Sequence, residues 1–125
     1  MNNVQAIPIE EHEAIPPAFT DEAVALLFAD RHVDNLRYVA AQSRWFHWTG
    51  THWRIDDTLL AFDLVRSVCR EMAADCNNER VATVLASAKT VAAVERLAKA
   101  DRQLAASLDQ WDAEPDTFNT KRTNP

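Results

Sequence analysis

The chain has one glycine in 125 residues, Gly50. A phosphate-binding loop needs several glycines ahead of a Lys-Ser/Thr pair, so that backbone amides can close on the phosphate; this scarcity excludes such a loop here. Ala88-Lys89-Thr90 does hold a Lys-Thr pair, but the preceding Leu85-Ala86-Ser87 reads as helix-forming, which puts Lys89 on a helix surface. Cysteine is almost as rare. Cys69 and Cys76 fall about two turns apart in what reads as one helix, roughly 10 Å apart on one face. That exceeds the span of a disulfide, so they read as reduced thiols in a core. No apolar run approaches the roughly 20 residues that cross a bilayer, and the acidic start lacks the basic-then-apolar order of a secretory signal. The expected setting is the cytoplasm, with no membrane partner.

Bases are missing from the first thirty residues, which carry six acids, whereas residues 31 to 108 carry eleven bases against nine acids. The last seventeen residues carry four acids and two bases, and the whole chain is −6. An acidic whole argues against a free-standing, strongly DNA-binding protein, but nucleic-acid contact depends on where Lys and Arg are placed. Metal-ligand spacing is also lacking. His47 and His52 bracket the Gly50 turn with no third ligand nearby. Asp56-Asp57 reads as a helix cap rather than a magnesium pair, and no serine has an evident His and Asp frame. These absences leave no catalytic residue, metal or cofactor to assign.

What is present suits one soluble domain: 47% hydrophobic and 26% charged residues in a length that buries a single core. Residues 1 to 18 hold Pro8, Pro16 and Pro17 with Glu10, Glu11 and Glu13 and no sustained period, and read as a flexible lead-in. Thr20 stands as N-cap to a helix over about 20 to 32, with Asp21 and Glu22 in the first turn and Val24, Leu27 and Phe28 at helical spacing. Asp56, Asp57 and Thr58 cap the longest helix, whose apolar face runs Ala61, Val65, Val68, Cys69, Met72, Cys76 and ends at Asn77-Asn78. Val81, Val84, Leu85 and Ala88 mark a third helix, Val91, Val94, Leu97 and Ala98 a fourth, and Leu104, Ala105 and Leu108 a short fifth. Residues 115 to 125 have neither period nor apolar content and read as a disordered tail.

Between the first two helices the period changes. Leu36, Tyr38 and Ala40 alternate with Arg37 and Val39; then Arg44-Trp45-Phe46-His47-Trp48 and His52-Trp53-Arg54-Ile55 flank Thr49-Gly50-Thr51. Two aromatic-rich strands around the sole glycine read as a β-hairpin. The expected fold class is therefore α+β: a small three-stranded antiparallel sheet over about 36 to 55, packed on a mostly helical domain. The hairpin is also the one informative cluster. Aromatics interleaved with Arg44 and Arg54 match the stacking-plus-phosphate pattern of single-strand binders, and Arg44, Trp48, His52 and Arg54 are the candidate contacts. The same tryptophans equally suit the core of so small a sheet.

The stretches Phe19-Thr20-Asp21-Glu22-Ala23, Leu36-Arg37-Tyr38-Val39, Trp45-Phe46-His47-Trp48-Thr49-Gly50-Thr51-His52-Trp53-Arg54, Asp57-Thr58-Leu59-Leu60-Ala61, Ser87-Ala88-Lys89-Thr90-Val91 and Leu108-Asp109-Gln110-Trp111-Asp112 occur in that order. In order and spacing they resemble the N-terminal-like domain that precedes the superfamily 3 helicase in phage and plasmid primases and in poxvirus primase/helicases. The resemblance covers about residues 19 to 114. It implies a parent that unwinds DNA with ATP, as a ring, at a phage or plasmid origin, and an accessory domain without ATPase residues of its own. After Glu114 the chain departs from the family's pattern, reading Asp116-Thr117-Phe118-Asn119-Thr120-Lys121-Arg122, which implies an incomplete domain on a truncated, prophage-derived chain. Its partners are then single-stranded DNA, other replication proteins or the missing helicase portion, and the oligomeric state stays open. Two other readings remain: a free-standing interaction module of mobile-element origin, and a small DNA-binding regulator with a helix-turn-helix within residues 79 to 108.

Overall fold

A computed structural model describes residues 14 to 112, so the expected tail and all but the end of the lead-in lie outside the described residues. Thr20 caps helix α1 (Asp21–His32) as expected: its Oγ1 accepts the Ala23 amide at 3.2 Å, with Asp21 and Glu22 in the first turn and Arg31 and His32 in the last, matching the helix dipole. Strand β1 (Leu36–Val39) leads through a single 3-10 turn to β2 (Arg44–Trp48), and Gly50 with φ +109 helps turn β2 into β3 (Trp53–Ile55). Both pairs are antiparallel, joining Tyr38 to Trp45 and Trp48 to Trp53.

The sheet has a fourth strand beyond the three expected. Strand β4 (Ala105–Ala106) runs parallel to β1, opposite Tyr38 and Val39, so the strand order is β3-β2-β1-β4 and the sheet is mixed rather than three-stranded antiparallel. Two alanines carry no strand signature. Main-chain pairing makes this strand, beginning with the Tyr38 amide donating to the Leu104 carbonyl at 2.7 Å. The expected helix through Leu104 and Ala105 is thereby corrected; the last helix, α5, is Leu108–Asp112.

Helix α2 (Leu60–Asp75) is the longest of the described helices and buries the expected face, with Ala61, Val65, Val68 and Cys69 inside and Met72 and Cys76 half-buried against them. Its cap works from a distance. Leu59, directly before it, is left-handed at φ 62 and gives no side-chain cap. Asp56 instead accepts the amides of Thr58 and Leu60 on Oδ1 and of Ala61 on Oδ2, the last two at 2.8 Å. Asp56 is thus the cap, and Asp57 is exposed without that role. Asp56→Ala is expected to lower stability by about 1–2 kcal/mol, read from the urea midpoint, while Asp57→Ala should leave it within about 0.5 kcal/mol.

Helices α3 (Glu79–Leu85) and α4 (Ala88–Lys99) break earlier than the apolar spacing implied. Ala88 belongs to α4, and Leu85-Ala86-Ser87 is a helix junction rather than continuous helix, because Ser87 takes the N-cap role by accepting the Thr90 amide at 3.2 Å. Lys89 nevertheless lies on a helix surface, exposed. Helix α4 packs between α1 and α2 through Val91, Val94 and Ala98, and with Leu36 and Trp45 of the sheet they form the main core.

Both cysteines are free thiols; Cys69 is fully buried and Cys76 half-buried at the end of α2. Burial, with Asp21 adding repulsion, pushes the Cys69 thiol up to about 11, so it behaves as a packed apolar group. His32 sits against Phe28 with ring centroids 4.7 Å apart. Burial lowers its pKa below the ordinary 6.5, the bond to Asn35 opposing and Arg31 assisting. A lowered folded value means the unfolded chain binds the proton first. Stability should therefore be full above about pH 6.5 and decline as pH falls below it; thermal melts of His32→Gln should lose that part of the decline.

Candidate nucleic-acid interface

Alternation along the strands sorts the hairpin into two faces. One carries Leu36, Tyr38, Trp45, His47 and Arg54, as the cross-strand partners require. Leu36 and Trp45 enter the main core. Trp45 donates its indole N–H to Glu95 Oε2 of α4 at 2.8 Å, and Tyr38 meets Trp45 edge-on at 5.1 Å. The other face carries Arg44, Phe46, Trp48, Trp53 and Ile55, with Val39 and Arg37 of β1.

This second face closes over a separate small core of Val39, Phe46, Trp53 and Trp111, the last supplied by α5. Trp111 is 1% exposed, and its ring centroid lies 4.9 Å from Phe46 and 5.6 Å from Trp53. Arg37 stands over the Trp53 ring at 5.4 Å, while its Nη1 donates to the carbonyls of Val33 and Leu36. Those bonds commit its guanidinium to the fold. The Trp53 indole N–H is buried with no hydrogen-bond partner among the described residues.

The four candidate contacts are therefore not one patch. Trp48 and His52 share the turn end of the hairpin: Trp48 is half-buried, edge-on to Trp53 at 5.4 Å, and His52 Nδ1 lies 2.9 Å from Thr51 Oγ1 and 3.3 Å from Thr49 Oγ1. Arg44 begins β2 at the opposite end, about 13 Å away along an extended strand. Arg54 lies on β3 beside His47, on the face away from Trp48. Arg44 and Arg54 are both exposed, and neither holds a hydrogen bond or ion pair among the described residues. Of the aromatics, Trp45, Phe46 and Trp53 are core residues, leaving Trp48 as the hairpin ring with surface to offer.

Beside Arg44 the structure places residues that strand patterning does not reveal. A cleft of 310 Å³ opens between the sheet and α4, with Arg44, Gln42 and Ser43 on one side and Glu95 and Lys99 on the other. Lys99 Nζ lies 3.5 Å from Glu95 Oε1 and 5.1 Å from the Tyr38 ring centre. Lys99 is far from the hairpin in sequence, and only helix packing brings it there. No group of three or more His, Cys, Asp or Glu that could hold a metal ion occurs among the described residues. No helix among them is long and apolar enough to cross a membrane.

A protein-family model described as D5 N terminal like matches residues 25 to 122, most of the chain and past Glu114. No curated protein and no solved structure matches it.

Proposed function

The chain belongs to the D5 N terminal like family, the domain that precedes the helicase in phage and plasmid primase-helicases, and from that membership we propose that it is an accessory domain that holds single-stranded DNA for a replication motor. On this reading it works in the cytoplasm on a phage or plasmid replicon and hydrolyses no nucleotide, since one glycine leaves no phosphate loop in it. The motor it serves is carried elsewhere in the parent protein or by a partner.

The observation that carries the proposal is the pair of exposed arginines, Arg44 and Arg54, without a partner among the described residues, on a hairpin whose turn end presents Trp48. Unspent guanidinium groups suit phosphates, and a ring with a free surface suits an unpaired base; a duplex hides its bases from such a ring. The net charge of −6 keeps the interaction weak, in the range of about 1–100 μM for sequence-independent contact.

Fluorescence anisotropy tests this with a labelled oligothymidylate of about 15 nucleotides against a duplex of equal length. The single strand should bind more tightly, with log affinity falling against log salt at a slope near −1.4 for two phosphate contacts. Tighter, sequence-selective binding to duplex would instead favour a regulator, and no binding to either would leave protein contact as the domain's role.

A further inference from the structure

The cleft between the sheet and α4 has an imbalance of hydrogen-bonding groups that the hairpin reading does not use. Two carboxylates line it, and both are committed. Asp56 accepts three backbone amides at the start of α2, and Glu95 accepts the Trp45 indole and faces Lys99. The donors are not. The Arg44 guanidinium, the Tyr38 hydroxyl and the side chains of Gln42 and Ser43 hold no hydrogen bond among the described residues. Lys99, with three donor protons, spends one direction on Glu95.

The walls are held at a fixed spacing. Tyr38, Trp45, Glu95 and Lys99 form a closed ring of contacts: edge-on rings at 5.1 Å, an indole-carboxylate bond at 2.8 Å, an ion pair at 3.5 Å and an ammonium 5.1 Å from the Tyr38 ring centre. Two of the three described non-glycine residues with positive φ, Ser43 at 54 and Leu59 at 62, also border this cleft. Such backbone is strained and concentrates at sites where the chain must present groups in a set direction. Leu59 is moreover 73% exposed, an apolar lip beside an otherwise polar cleft. At 310 Å³ the space suits one small ligand and not a duplex.

We propose that this cleft seats one nucleotide phosphate, held by Arg44, Lys99 and the Tyr38 hydroxyl, with Leu59 against the sugar or base. A surplus of donors around satisfied carboxylates selects a group with several acceptor oxygens and no proton to give, and a phosphate is that group. The proposal rests on the single-strand reading and moves its anchor from the hairpin turn to the sheet-α4 junction. Lys99, Tyr38 and Gln42 then join Arg44 as contacts.

The test uses the full chain, labelled with nitrogen-15, titrated separately with oligothymidylate, thymidine monophosphate and inorganic phosphate. Amide shifts should concentrate at residues 42 to 45 and 95 to 99 in all three titrations, most weakly with inorganic phosphate. Tyr38→Phe and Lys99→Gln should each weaken oligothymidylate binding by about three- to tenfold, as loss of one phosphate contact implies, with the rest of the spectrum unchanged. Arg80→Ala, an exposed residue of α3 outside the cleft lining, should leave the mononucleotide shifts intact. If oligothymidylate binds but both cleft variants bind it as well as wild type, the cleft proposal fails and the hairpin reading survives. If oligothymidylate does not bind yet the mononucleotide shifts these amides, the cleft stands as a nucleotide site and the single-strand reading fails. Silence at residues 42 to 45 and 95 to 99 with every probe overturns the proposal.

Discussion

Trp111→Ala is expected to cost the domain about 3–5 kcal/mol, the usual range for emptying a large aromatic site. The residue is 1% exposed and is the contribution of α5 to the small core on the far side of the sheet, touching Phe46 and Trp53. A domain of this size has about 5–15 kcal/mol in total, so the variant should stand near the edge of unfolding. Loss should also be uneven. Hydrogen exchange should accelerate first at Phe46 and Trp53, because α1, α2 and α4 close a separate core that does not contain Trp111. Trp111→Phe keeps a ring in place and should recover most of the loss. A urea midpoint for Trp111→Ala that matches wild type would mean that α5 does not close this face.

The second large effect concerns DNA. Trp48→Ala combined with Arg44→Ala should weaken oligothymidylate binding by roughly 10- to 100-fold, since one stacked base is worth about 1–3 kcal/mol and each phosphate contact adds to it. Trp48 is half-buried and packs edge-on against Trp53, so the substitution also removes some core area. Trp48→Phe with Arg44→Lys separates the two effects. It keeps a ring and a charge, and should recover most of the stability and part of the affinity, losing the paired donors of the guanidinium. If the alanine pair stays folded by circular dichroism and binds as wild type does, neither residue meets the strand.

The helices were legible because their signals are local. Thr20 with Asp21 and Glu22 announces α1, and the spacing from Ala61 to Cys76 announces the buried face of α2. One boundary failed where a cap competes with apolar spacing: Ser87 starts α4 inside what reads as the end of the third helix, whereas Asp56 caps α2 as its residue type implied. Strand β4 was illegible for a different reason. A two-residue ladder of alanines takes its identity from the Tyr38 and Val39 backbone beside it, which no local pattern encodes. For the candidate site, the aromatic hairpin stands out in the sequence, but the division of its rings between two cores depends on strand register. The placement of Lys99 against Tyr38 depends on how α4 packs. Residue type singled out Arg44 as a candidate, and tertiary structure supplied its neighbours.

The most direct measurement is photocrosslinking of the pure chain to an oligothymidylate carrying iodouracil, with the adducts located by mass spectrometry. The account predicts adducts at Trp48 and His52 on the hairpin and at Tyr38 in the adjoining cleft, diminishing as salt rises from about 50 to about 200 mM. Adducts confined to residues outside the hairpin and this cleft, or none at any salt, would contradict it.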